Sequence, residues 1–478
     1  MRTLWTTAAL GALALVTGRA ASGPTIFDGA SGVPLLVWTG LAWALFAAAW
    51  WGLRGLPRRP ALLLVLLGTL AVSGAALAGP PNTSTDSARY AWDGIVTGSG
   101  VSPWAHAPAD DALDPVREPW LFPAPTVDAD GVERCVGPRT TAVRSVPSGA
   151  LLCTTLNRPA VPTIYPPVAQ GWFAAVRAVV PPTATWWPLQ LAGAAVVVGV
   201  TGLLVWLLAA GGGDPRRAAW WGCCPFVASE AVTNSHVDVL GVALVVGATG
   251  LLARSAAGQS PAERTPPSRA RAVLVGALVG LAAAVKVVPA IVAVPLVRRR
   301  PVPTLVGAAL ALALVFVPAL AASGRGVIGY LPGYLDEQGY DSGAGLTLAS
   351  LVVPGRWAVA LSLVVVVAVV VLQWRRVETG QPWTAQLLGA GTILLVVSSP
   401  YPWYALVLVP WIALTGRWEW FAVPLLMTAH LLVPGAAPMA VVVPASVLVV
   451  IVGTWVRRQR GPGVPDGRAV ATARETVA

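Results

Sequence analysis

Charge is what this sequence has least of. Of its 478 residues, 11% are Asp, Glu, Lys or Arg, less than half of the roughly 25% typical of soluble domains. A water-soluble fold of this length needs a charged surface, so an ordinary soluble protein is excluded, whereas a chain surrounded by lipid has no such need. Lysine is scarcer still: 31 of the 32 basic residues are Arg, and Lys286 is the only Lys. There are three His and four Cys, with no zinc-type spacing among them. No phosphate-cradling Gly-rich loop and no nucleophile elbow stands out, so ATP hydrolysis and serine-type chemistry lack support.

What is abundant is apolar sequence, 56% of the chain. Runs long enough to cross a bilayer lie near 3–17, 34–52, 60–79, 186–209, 218–234, 237–253, 301–321, 357–374, 418–434 and 437–456. Two further stretches are interrupted: 272–297 by Lys286 and Pro289, and 384–415 by Ser398, Ser399, Pro400 and Pro402. The expected fold is an all-α polytopic membrane protein of about 12–14 membrane helices. Short cytoplasmic loops collect Arg. The basic groups Arg54/Arg58/Arg59, Arg216/Arg217, Arg254–Arg271, Arg298–Arg300, Arg375/Arg376, Arg417 and Arg457/Arg458/Arg460 all fall on that side if both interrupted stretches are hairpins dipping from the outer face. The first apolar run also reads as a signal peptide, which would leave the remaining topology unchanged. The division expected is membrane helices over 1–80, an extracytoplasmic loop over 81–165, a helix bundle over 166–456 and a disordered tail over 457–478. No nucleic-acid partner is expected; the bilayer is.

The 81–165 loop is the one large hydrophilic segment. It holds Cys135 and Cys153, and an oxidising compartment favours their pairing; a bridge closing about 18 residues stabilises by about 3 kcal/mol. Polar residues gather at the tips of three segments on the same face: Glu230, Asn234, His236 and Asp238; Lys286; and Ser398–Tyr404 with Tyr401 and Trp403. An ionisable residue at membrane depth is costly and calls for a functional reading. In the loop, Asp86, Arg89, Tyr90 and Asp93 share one face if the segment is helical. That face suits a carboxylate presented to a wet cleft, and it suits an interfacial helix equally. Asp336, Glu337 and Asp341, with Tyr330, Tyr334 and Tyr340, read first as a headgroup-level loop and second as a sugar site. His106 and His430 carry little weight. A carboxylate at the membrane surface beside cations fits group transfer from a lipid phosphate carrier: the carboxylate takes the acceptor proton, and cations such as Lys286, Arg89 or His236 stabilise the departing phosphate. A divalent metal at Asp86, Glu230 and Asp238 is not established by spacing, and no cofactor is expected.

The segments DSARYAWDG (86–94), GSGVSPW (98–104), APADDALDPVREPW (107–120), RPAVPTIYPPVAQ (158–170), EAVTNSHVDVL (230–240), AAVKVVPAIVAVPLVRRR (283–300) and SSPYPWYALVLVPW (398–411), in that order, resemble bacterial polyprenyl-phosphate-sugar-dependent glycosyltransferases of the GT-C superfamily. The nearest resemblance is to the family-87 mannosyltransferase-like proteins of actinobacteria. The resemblance implies a plasma-membrane enzyme that moves a sugar, mannose first, with inversion. The donor is a polyprenyl phosphate sugar and the acceptor an envelope glycolipid or lipoglycan hydroxyl on the outer face. Carried over by position, Asp86 is the base; Lys286, His236, Arg89 and Asn234 meet the donor phosphate; Tyr90, Asp93, Tyr165, Glu230, Asp238, Tyr401 and Trp403 face sugar or acceptor. Thr85, Ala88, Arg158 and Val237 depart from the family pattern, and 120–153 reads as an insertion. The alternatives are a transporter or flippase of a lipid-linked precursor, which would place polar groups near the midplane between repeats, and a non-catalytic scaffold, which would leave the buried ionisable groups without a use.

Overall fold

The computed structural model describes all residues except 24, 28–30, 257–265, 377–381 and 460–478. Most of the expected linker 255–270 and tail 457–478 therefore lies outside the described residues.

The protein is an all-α polytopic membrane protein. Helix α1 (Arg2–Ser22), α2 (Val33–Leu53) and α3 (Arg58–Ala75) form the first group. The short polar α4 (Asp86–Gly98) packs on α5 (Pro167–Ala178), and the long α6 (Trp187–Ala210) follows. Among the described residues, seven helices are long and apolar enough to cross a membrane, or eight if one bent pair counts as a span. Unbroken helices thus number fewer than the 12–14 expected, because several apolar runs are broken. The run 218–234 is divided into Ala219–Gly222, Pro225–Val227 and a π-helix, Ala228–Thr233, and the chain bends by 117° into the helix Asp238–Ala256. The run 418–434 begins as a 3₁₀ turn, Trp418–Phe421, before the helix Ala422–Leu432.

Both interrupted stretches turn back. In the first, the ring of Pro289 excludes the carbonyl of Val285 from an i−4 bond; the helix Arg269–Val285 ends there, with Lys286 extended at φ −167° and ψ 143°. The next long helix, Pro301–Ser323, runs parallel to it. Added Cβ atoms at Gly276 and Gly280 would meet the backbone of Thr304 and Ala308 respectively, the one at Gly276 at 1.8 Å, so the two backbones touch where a side chain would forbid it. Parallel packing returns Arg298–Arg300 to the end of the bundle that carries Arg269 and Arg271. In the second, Trp383 lies near Gly211, and Arg217 donates to the carbonyl of Leu414. Both arms therefore start and finish at one end, with the turn at Ser398 (φ 53°) at the other. Outward faces are apolar: Leu310, Leu314, Val317, Val364 and Val367 are all more than half exposed, as lipid contact allows.

The 81–165 segment has its own small core, where Trp92, Leu113, Leu121, Phe122 and Leu156 pack together. It also has two antiparallel hairpins, pairing Thr126–Val127 with Glu133–Arg134 and Thr141–Arg144 with Leu151–Thr154. Cys135 and Cys153 form a disulfide with Cα atoms 5.3 Å apart.

Candidate active site

The interrupted helices end together. Lys286, at the break after Arg269–Val285, donates from Nζ to Asp238 Oδ2 at 2.9 Å, and Asp238 opens the helix that follows the 117° bend. The Lys286 ammonium also sits 4.3 Å from the centre of the Tyr404 ring, a cation–π contact. Asp86 opens α4. Its Oδ1 accepts from Asn157 Nδ2 at 2.6 Å, and its Oδ2 accepts from the Tyr90 hydroxyl at 3.5 Å. Behind it stands His236, fully buried, with Nδ1 3.7 Å from Asp86 Oδ2 and Nε2 3.2 Å from Glu230 Oε2. The imidazole is stacked on Trp403 at 4.0 Å, and Trp403 on Tyr401 at 4.8 Å.

These elements enclose a cavity of about 230 Å³ bordered by Asp86, Asn157, Arg158, Tyr165, Lys286, Tyr334, Tyr401, Trp403 and Tyr404. One carboxylate and two cations, set among six aromatic side chains with Phe27 the sixth, face the same space. Burial pushes the Tyr90 and Tyr165 phenols well above their usual range. Both stay neutral, so the Tyr90 hydroxyl remains a donor to Asp86. Arg158 (φ 44°), Ser235 (φ 54°) and Ser398 (φ 53°) hold left-handed backbone without being glycine, at about 1–3 kcal/mol each. Each adjoins the site: Arg158 borders the cavity, Ser235 precedes His236, and Ser398 opens the turn to Tyr401.

Of the residues expected at the site, Asp86, Tyr165, Lys286, Tyr401 and Trp403 border this cavity, with Tyr90, His236, Glu230 and Asp238 immediately behind them. Arg89, Asp93 and Asn234 are not brought there. Arg89 pairs with Asp93 at 3.0 Å and donates to the carbonyls of Arg158 and Val161; Asp93 also accepts from Thr163 and Gln170. Asn234 Oδ1 accepts from the backbone N–H groups of Asn82 and Thr83. All three brace the loop that carries Asp86. In the 330–341 segment, Tyr334 borders the cavity and bonds the Tyr404 hydroxyl at 3.0 Å, while Glu337 holds Arg158 at 2.8 Å, contacts in line with the second reading of that loop as a sugar site. Asn157 and Arg158 were not named as site residues, whereas Tyr334 belonged to the loop given a sugar site as its second reading and Tyr404 to the Ser398–Tyr404 tip. Of Asn157 and Arg158, the second had a signal, since it departs from the family pattern, but spacing along the chain cannot place Asn157 against Asp86, 71 positions away. Among the described residues no group of three or more His, Cys, Asp or Glu is disposed to hold a metal ion, and the imidazole separates Asp86 from Glu230.

The broken helices of this membrane bundle converge on a carboxylate, cations and stacked aromatic rings, a combination suited to group transfer at a membrane. Residues 163–400 match the model of glycosyltransferase family 87, and by that match the protein is a membrane glycosyltransferase. The match takes in Tyr165, Glu230, His236, Asp238 and Lys286, and stops short of Asp86 on one side and Tyr401 on the other. It sets aside the transporter and scaffold readings. No curated protein and no solved structure matches the chain.

Proposed function

We propose that the protein transfers a sugar, mannose first, from a polyprenyl phosphate carrier to a hydroxyl of an envelope glycolipid or lipoglycan, with inversion, on the outer face of a bacterial plasma membrane. Asp86 is the general base. The observation that carries the reading is that Asp86 and Lys286, 200 residues apart, border one cavity. Lys286 uses one of its three protons on Asp238 and keeps the others for an anion. Arg158, held by Glu337 on one side, adds a second cation to the same space. A phosphate seated by these cations has its leaving charge stabilised without a nucleotide. The acceptor oxygen attacks the sugar carbon from the other side while Asp86 removes its proton. Asn157 and Tyr90 donate to the two carboxylate oxygens and so aim the base. The aromatic rings of Tyr401, Trp403 and Tyr404 offer apolar faces to a pyranose.

The test is transfer by purified protein supplied with polyprenyl phosphate mannose and an envelope lipid fraction, with products identified by mass spectrometry. Asp86→Asn is expected to lower turnover by about 10³-fold, within the range for a lost general base, with thermal unfolding unchanged. An Asp86→Asn enzyme as fast as wild type overturns the assignment of the base.

A further inference from the structure

We infer that His236 and Glu230 form, with Asp86, a buried proton relay in which His236 takes from Asp86 the proton that Asp86 removes from the acceptor. The inference rests on Asp86 as base and gives a use to two groups that the proposed transfer leaves idle.

His236 is 0% exposed and Glu230 1% exposed, and neither borders the cavity. Neither therefore reaches a donor phosphate, the role the family resemblance suggests for His236. Instead the imidazole lies between two carboxylates, Nδ1 toward Asp86 and Nε2 toward Glu230. Its plane is held by the stack on Trp403, and its backbone N–H donates to the carbonyl of Glu230 at 2.9 Å. Glu230 Oε1 accepts from Ser229 Oγ. Its Oε2 and both ring nitrogens have no aligned hydrogen bond among the described residues. Three buried polar atoms on two side chains left in this state are costly as packing. The π-helix Ala228–Thr233 that sets Glu230 in place is itself a feature common at functional sites.

In the step, the acceptor O–H bond breaks as its oxygen bonds to the sugar carbon. The carbon–oxygen bond to phosphate breaks, with its electron pair passing to phosphate. The proton goes to Asp86 and then to His236 Nδ1. Nε2–H remains directed at Glu230, whose carboxylate balances the imidazolium, the logic of a carboxylate behind a catalytic histidine. After product release the proton returns through Asp86 to water refilling the cavity. The 3.7 Å gap between Asp86 and His236 exceeds a hydrogen bond and closes when substrates fill the site, as catalytic contacts commonly do. His236 and Glu230 act through Asp86 and are positioning residues.

The experiment measures turnover and donor KM for wild type, His236→Gln and Glu230→Gln with polyprenyl phosphate mannose, in mixtures of light and heavy water, after thermal unfolding confirms folding. Expected are a fall in kcat of about 10²-fold for His236→Gln, a smaller fall for Glu230→Gln and donor KM unchanged in both. The dependence of kcat on deuterium content is linear in wild type, with one proton moving at a time, and the solvent isotope effect on kcat is larger in His236→Gln, where the proton must leave Asp86 for water. An unchanged kcat, or a raised donor KM at unchanged kcat, in a folded His236→Gln overturns the relay while leaving Asp86 as base. Wild type that transfers nothing from this donor overturns the donor reading and the relay together. Should His236→Gln fail to fold, the same kcat, KM and deuterium measurements on Glu230→Gln decide.

Discussion

Lys286 is bonded on one side and open on the other, and both sides matter to what its removal does. Truncating it to Ala removes a cation from the cavity and also strands Asp238, which is 2% exposed; an unpaired buried charge costs about 3–5 kcal/mol. Lys286→Ala alone therefore lowers stability as well as donor use. The double variant Lys286→Ala/Asp238→Asn removes the stranded charge and isolates the phosphate effect. It is expected to recover the thermal midpoint lost by the single variant, with donor KM raised about tenfold, the loss of a charge-assisted hydrogen bond of about 1.5 kcal/mol. A double variant with wild-type donor KM and turnover removes Lys286 from the phosphate site. The sole lysine was legible because an isolated charge in apolar sequence has few uses. Arg89 and Asp93 misled for the opposite reason: i, i+4 spacing shows that two groups share a face, and here they satisfy each other at 3.0 Å. Asn157 was illegible as a site residue, since only the folded loop lays it on Asp86, and Arg158 showed only as a departure from the family pattern.

At the level of elements, arginine placement read the two hairpins correctly where hydropathy could not, because Arg298–Arg300 and Arg417 fix the end to which each chain returns. The run 218–234 was misread as one span: apolar composition does not reveal that Pro225 and a π-helix divide it. The hairpins between 126 and 154 left little trace in a sequence rich in Pro, Gly and charge. They depend on their anchors to the rest of the loop, one of which is Asp111, whose Oδ2 accepts from the backbone N–H of Ser148 at 2.7 Å. That bond holds the Asp111 carboxyl below its ordinary value, and Asp110 is lowered likewise by its hydrogen bond to His106. A carboxylate with a depressed folded pKa stabilises above its unfolded value and loses that contribution as pH falls through the folded value. Exchange protection of the Ser148 amide, measured by hydrogen–deuterium exchange, is therefore expected to hold at neutral pH and to fall as pH drops below about 4. Asp111→Asn is expected to show weaker protection already at pH 7. Protection in Asp111→Asn equal to wild type at both pH values would remove this anchor.

Taken whole, the molecule has two unlike ends. One carries Asp86, Lys286, the Ser398 turn and the loop in which Trp104 approaches Gly326. The other carries Arg217, with Gly211, Trp383 and Thr415 around it, and by parallel packing Arg271 and Arg300. The chain reaches the second end again at Arg375, since the helix Arg356–Arg376 descends from the loop after Pro301–Ser323. Positive residues held in the cytoplasm orient this asymmetry, and the orientation decides whether a carrier loaded on the outer face can meet Asp86. Background thiols are few: Cys223 and Cys224 are buried and Cys135 is bridged to Cys153. Single cysteines at positions 100 and 335, both exposed near the site end, are expected to react with a membrane-impermeant maleimide on intact cells. A cysteine at position 375 is expected to react only after permeabilisation. Labelling of 375 on intact cells with 100 and 335 protected would invert the molecule, place the cavity in the cytoplasm and end the case for an outward-facing donor.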